Sequence, residues 1–80
     1  MRTEVRCYAG TSYPERPRAF LYRERWLAVA EVARRERTPG GLRFWVRVAD
    51  GRRFRLSYEE ATDAWDVRPS RRPPEQGDPE

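Results

Sequence analysis

An all-β domain of about six short antiparallel strands is predicted for this chain, on three observations. Apolar and polar residues alternate at period two in several runs. Turn signals built on Gly, Pro and Asp separate those runs at short intervals. No stretch gathers its apolar residues into the single stripe of an amphipathic helix. At 80 residues there is room for one domain and no second core.

The first strand is expected over Glu4–Tyr8, where Val5 and Cys7 alternate with Glu4 and Arg6. Gly10 to Pro17 is a loop carrying two prolines. Residues 18–32 are rich in Ala, Leu, Arg and Glu, and by propensity a helix is the rival reading. Against it, Phe20 and Tyr22 alternate with Leu21 and Arg23, and Trp26, Ala28, Ala30 and Val32 form a row at period two. On a helix these groups would spread round most of the cylinder. Two strands, 18–23 and 26–34, are therefore predicted, with a tight turn at Glu24-Arg25.

Thr38-Pro39-Gly40-Gly41 marks the next turn. Leu42 to Val48 then alternates, with Leu42, Phe44, Val46 and Val48 on one face and Arg43, Trp45 and Arg47 on the other. After Asp50-Gly51, Phe54, Leu56 and Tyr58 alternate with Arg53, Arg55 and Ser57. Parity selects the turn of this hairpin. A two-residue loop would pair Val46 with Arg55 and mix the faces. A three-residue loop, Ala49-Asp50-Gly51, pairs Val46 with Phe54, Phe44 with Leu56 and Leu42 with Tyr58. It also puts Gly51 in the left-handed position of a type I turn with a G1 bulge, where the lack of a Cβ is favoured.

Glu59 to Asp63 is a loop, and Ala64–Arg68 a last strand with Trp65 and Val67 facing inward. Four of the seven prolines lie between Pro69 and Glu80, with no large apolar residue. Ordering this segment would cost about 1–2 kcal/mol per residue in backbone entropy with little burial in return. Residues 1–68 are accordingly expected to form the domain and 69–80 a disordered tail. A meander of this size hides its edges in a strongly bent sheet or a small SH3-like barrel. The expected core is Phe20, Trp26 or Leu27, Val29, Val32, Phe44, Val46, Phe54, Leu56 and Trp65.

Composition narrows the function classes. The chain has no histidine and one cysteine, Cys7. This excludes an intrachain disulfide, a Cys/His zinc site and any scheme resting on an imidazole base. Apolar runs are too short to span a membrane, and MRTEVRCYAG lacks a signal peptide's apolar stretch. A cytoplasmic, reducing setting is expected. The net charge is +4, and all 17 basic residues are arginine; lysine, asparagine and isoleucine are missing too. Those three have A/T-rich codons, so a GC-rich genome produces the same bias and the arginine count is weak support for phosphate recognition. Position says more: residues 34–55 hold eight arginines against Glu36 and Asp50.

The string LRFWVRVADGRRFRLSYEEATDAWDV resembles a family of small bacterial domains of unknown function. These occur alone and, in related form, at the C-terminus of Y-family DNA polymerase-like proteins. The matching features are Phe44, Asp50-Gly51, Tyr58 and Trp65. Upstream, PRAFLYRERWLAVAEV is similar to the family's aromatic strand, turn and Val-rich strand, with Glu24 where glycine would be expected. The resemblance covers most of residues 17–67. It implies a β domain and a DNA-repair neighbourhood, and supplies no catalytic residues.

The sharpest candidate site is the outer face of the central hairpin, with Arg43, Trp45, Arg47, Arg53 and Arg55. Its register sets Arg47 opposite Arg53, Trp45 opposite Arg55 and Arg43 opposite Ser57. Guanidiniums around an indole suit backbone phosphates and a stacked base. The plainer reading packs Trp45 under a neighbouring loop or the N-terminal strand and leaves the arginines solvated or paired with Glu4, Glu31 or Glu36, or stacks Arg55 on the indole. Glu59, Glu60, Asp63 and Asp66 form an acidic group whose spacing fits no calcium loop. Ser12, Ser57 and Ser70 have no imidazole or lysine to activate them. Cys7 is expected to be an inert, buried thiol. No enzyme, metal or cofactor is expected. The best reading is a non-catalytic nucleic-acid-binding module; the alternative is a protein-interaction or self-associating module. A hydrolase using the acidic group is a third class without support.

Overall fold

The computed structural model describes residues 2–7 and 16–70. It is all-β, with seven antiparallel strands: β1 (Arg2–Thr3), β2 (Val5–Cys7), β3 (Pro17–Tyr22), β4 (Arg25–Thr38), β5 (Gly41–Val48), β6 (Arg53–Glu59) and β7 (Ala64–Ser70). Their order, β1-β7-β6-β5-β4-β3-β2, is a meander whose first two strands lie at opposite edges of the sheet. Only Glu4 separates them in the chain. One short N-terminal segment therefore pairs with β7 through Arg2 and Thr3 and with β3 through Val5, Arg6 and Cys7. The Leu21 N–H donates to the Glu4 carbonyl at 3.0 Å, and the Thr3 hydroxyl donates to the Leu21 carbonyl. The sheet thus curls into a nearly closed barrel of the SH3-like kind, which removes most of the unpaired edge that an open sheet would present.

The β5–β6 register is the expected one, from Leu42 opposite Tyr58 to Arg47 opposite Arg53. Its turn also follows expectation. The Gly51 N–H donates to the Val48 carbonyl and the Val48 N–H to the Arg52 carbonyl, both at 2.9 Å, with Gly51 at φ +94°. Asp50 locks the turn by accepting from the Arg52 N–H at 2.9 Å and the Arg52 Nε at 2.8 Å. That backbone hydrogen bond, with the guanidinium beside it, holds the Asp50 carboxyl below the usual carboxylate range.

Several boundaries differ from the expectation. The β3–β4 turn is Arg23-Glu24, one residue earlier than predicted, with Tyr22 opposite Arg25. A turn at Glu24-Arg25 would set Phe20 opposite Val29, and the observed one sets it opposite Leu27. Both registers keep the same faces, so the hydrophobic pattern could not choose between them. Arg23 and Glu24 both take positive φ, 51° and 67°, as a mirror-image hairpin turn requires. The row Trp26, Ala28, Ala30 and Val32 does not share a face. Ala30 and Ala33 have no partner opposite on β5, and each marks a bulge that flips the parity of β4. Leu27, Val29 and Val32 consequently pack on the core, while Trp26, Ala28 and Ala30 are exposed. Strand β4 also runs on to Thr38 instead of ending at Arg34. At the other end β7 includes Pro69 and Ser70, placed in the tail by the sequence reading. Pro69 is tolerated because β1 pairs with β7 only at Trp65 and Asp66, leaving the proline N side without a ladder to complete. Of the loop expected over Gly10–Pro17, Pro17 opens β3 instead; residues 8–15 and the tail beyond Ser70 lie outside the described residues.

Inside the barrel, Phe20, Leu42, Phe44, Val46, Val48, Phe54, Leu56, Tyr58 and Val67 form the buried cluster. Phe54 meets Phe20 and Tyr22 edge-on at 5.1 and 4.8 Å between ring centres. Trp65 closes the other side against Tyr58 at 5.0 Å and Phe44 at 5.9 Å. The Tyr58 hydroxyl, at the rim, donates to Asp63 at 2.7 Å, so the ring is buried without orphaning its polar end.

Two substitutions test this backbone. A Cβ on Gly41 would lie 1.9 Å from the Tyr58 carbonyl oxygen and 2.9 Å from its carbon, so the strands must part. Gly41→Ala is expected to lower the unfolding free energy by about 2 kcal/mol or more in denaturant titration. Glu24→Gly, at a left-handed position of the β3–β4 turn, is expected to raise it by about 1 kcal/mol.

Candidate functional site

Paired residues of an antiparallel ladder share a face, so the strand registers define the outside of the barrel in rows. The first runs Glu31, Arg47, Arg53, Ser70; the second Arg34, Trp45, Arg55, Arg68; the third Glu36, Arg43, Ser57, Asp66, Arg2. All five predicted site residues, Arg43, Trp45, Arg47, Arg53 and Arg55, fall on this one face. Arg34 and Arg68 join them, brought in by the second bulge of β4 and by the β6–β7 register. Sequence reasoning missed both because each depends on a pairing outside the central hairpin.

Trp45 corrects the expectation in one respect. It points away from the barrel core, as predicted, yet is only 5% exposed. The Arg34 guanidinium lies 5.9 Å from its ring centre, not that of Arg55 opposite. Long arginine stems laid across an indole shield it from water while their charged ends stay wet. The ring is a floor beneath arginines, and a base cannot stack on it while they stay in place.

The acids on this face have a local electrostatic role. Glu31 accepts from Arg47, with Nε and Nη2 each 3.1 Å from Oε1, which offsets the juxtaposition of Arg47 and Arg53 across the ladder. Glu36 sits between Arg34 at 3.6 Å and Arg43 at 4.0 Å. Asp66 holds Arg68 at 3.1 Å. These are exposed or half-exposed pairs, each contributing at most about 1 kcal/mol. Six arginines on β4–β7 still face three acids here. Within the layer the Nε of Arg55 is buried and has no hydrogen-bond partner among the described residues. On the same face a cavity of about 210 Å³ is lined by Trp45, Arg47, Arg53, Glu31 and Ser70 among others.

Other candidates contribute little. Asp63 and Glu59 are engaged with Tyr58 and Thr62. Among the described residues no three Cys, Asp or Glu side chains gather in a set that could hold a metal ion. Ser57 and Ser70 lie in the arginine rows, and Ser12 is outside the described residues. Cys7 is half-buried opposite Pro17, and that burial pushes its thiol pKa up, away from reactivity. Among the described residues no helix is long and apolar enough to cross a membrane.

If Trp45 is a structural floor, Trp45→Ala should cost about 3 kcal/mol or more. Trp26→Ala, at the exposed indole, should cost less than about 1 kcal/mol in the same denaturant titration. Equal, small losses would mean that the arginine layer does not enclose Trp45. Family models, curated proteins and solved structures yield no match to this chain.

Proposed function

We propose that this domain is a non-catalytic nucleic-acid-binding module that grips the phosphate backbone with the outer face of β4–β7. What carries the reading is the three-row layer, in which six arginines outnumber three acids and the buried Nε of Arg55 lacks an acceptor. Guanidiniums bind phosphate oxygens as paired donors, and a row of them on one sheet face suits a line of anionic oxygens. The exposed pairs of Arg47 with Glu31 and Arg43 with Glu36 are weak enough to yield to phosphate. Trp45 supports the layer from below and takes no base. The resemblance to domains attached to polymerase-like proteins is in keeping with a nucleic-acid partner.

The alternative, a protein-interaction or self-associating module, needs an exposed apolar anchor. Trp45, the anchor first considered for it, is covered, so such a module would have to use another side chain, and among the described residues Trp26 is the large apolar one that is exposed.

Binding to a short DNA duplex tests the proposal. If Arg43, Arg47, Arg53 and Arg55 each meet a phosphate, log K against log salt should fall with a slope of about −3 to −4 between about 50 and 200 mM salt. Arg53→Glu should weaken binding at every salt concentration, and Glu31→Gln should strengthen it by freeing Arg47. No binding at low salt, or an affinity indifferent to salt, would refute the arginine face.

A further inference from the structure

The one large apolar side chain exposed among the described residues lies elsewhere on the barrel. Trp26, near the start of β4, is 42% exposed, and the Arg6 guanidinium of β2 lies over its ring at 4.5 Å from the centre. These residues sit two strands apart, and the register explains how they meet. Arg6 stands opposite Ala19 and Ala19 opposite Ala28, while Trp26 pairs with Leu21. On this face the middle strand presents Ala19, between Arg6 and Ala28, and Leu21, directly opposite Trp26. Ala28, next on the same side of β4, is small and exposed. The ring therefore has a low shelf beside it, where a flat group can lie.

Burying this indole would have stabilised the fold substantially, as it does for Trp45 and Trp65. Instead the sheet displays it with a cation stacked on it. Arg6, Arg23 and Arg25 lie around this edge of the sheet, against Glu24 and Glu4, the latter beside Leu21, so arginines outnumber acids here. An aromatic face with an arginine plane in a positive field matches the chemistry of an unpaired base on a polyanion. A neutral apolar or basic protein surface would meet that charge unfavourably.

We infer that Trp26 and Arg6 form a stacking site for an unpaired nucleobase, so that the ligand class of this domain is single-stranded nucleic acid. The inference rests on the phosphate-binding reading of the arginine rows and deepens it. Geometry links the two regions: Trp26 and Glu31, the partner of Arg47, are five residues apart on β4. At the rise of an extended strand that is about 16 Å, a gap that a few nucleotides bridge. Bases of a duplex are stacked on one another and cannot reach the indole. The base either replaces the guanidinium on the ring or lies on the outer side of the guanidinium plane.

The test measures binding of an oligothymidylate of twelve nucleotides and of a duplex of equal length. Indole emission should be quenched by the oligothymidylate. Trp26→Ala should weaken oligothymidylate binding about tenfold or more, while leaving duplex affinity and its salt slope unchanged. Trp26→Phe should keep most of the affinity, and Arg6→Ala should lose part of it and reads the same site if Trp26→Ala does not fold. If the Trp26 and Arg6 variants bind oligothymidylate as the parent does, while Arg53→Glu loses it, the stacking site is refuted and the arginine face stands. If the parent binds neither probe, the underlying reading fails and this one with it. If sedimentation shows a parent dimer that Trp26→Ala dissociates, the indole serves a second copy of the chain and the inference is overturned.

Discussion

The register of the β5–β6 hairpin is the constraint on which the rest of this structure depends. Leu42, Phe44 and Val46 must oppose Tyr58, Leu56 and Phe54, because a slip of one residue would turn the three large apolar side chains of one strand into water. With that pairing in place, the residues between them have no freedom of side. Arg43, Trp45 and Arg47 are forced outward against Ser57, Arg55 and Arg53. The cationic layer is thus the obligatory reverse of the hydrophobic one. Turn chemistry agrees: Gly51 accepts the left-handed conformation and Asp50 caps the following N–H, so local and long-range preferences point the same way.

Strand β4 transmits this pattern to the rest of the barrel, with two interruptions. A strand of 14 residues that kept strict alternation would bury Trp26, Ala28, Ala30 and Val32 together or expose them together. The bulges at Ala30 and Ala33 separate Val32 from the others and let the strand coil from the β5 side to the β3 side. They also bring Arg34 outward beside Trp45. Closure then falls to residues 2–7, which pair with both sheet edges at once. Among the described residues, the stretch of β4 beyond Val32 pairs on one side only; its run of Arg34, Arg35, Glu36 and Arg37 discourages further strand addition.

Three tryptophans illustrate how differently one residue type can be used. Trp65 packs on Phe44 and Tyr58 at the flank of the core. Trp45 points out of the barrel yet is nearly enclosed, in a row with Arg34 and Arg55 and with the Arg34 guanidinium near its ring. Trp26 has Leu21 opposite, Ala28 next along its strand and one guanidinium above, and it remains accessible. Height of the neighbours, not the face of the sheet, separates the second case from the third.

Alternation, turn residues and parity were legible in the chain because they are local, and they carried the all-β class, the meander and the full pairing of the central hairpin. The outward direction of Arg43, Arg47, Arg53 and Arg55 followed from the same parity. Two registers of the β3–β4 hairpin, by contrast, satisfy the pattern equally, and bulges leave no mark in a string of Ala, Val and Arg. The partners of Arg34 and Arg68, the cover over Trp45 and the accessibility of Trp26 all arise from strands that are neighbours in space but distant in sequence. Period two tells which side of a sheet a residue occupies; how deeply it is covered there depends on the reach of side chains that folding brings alongside.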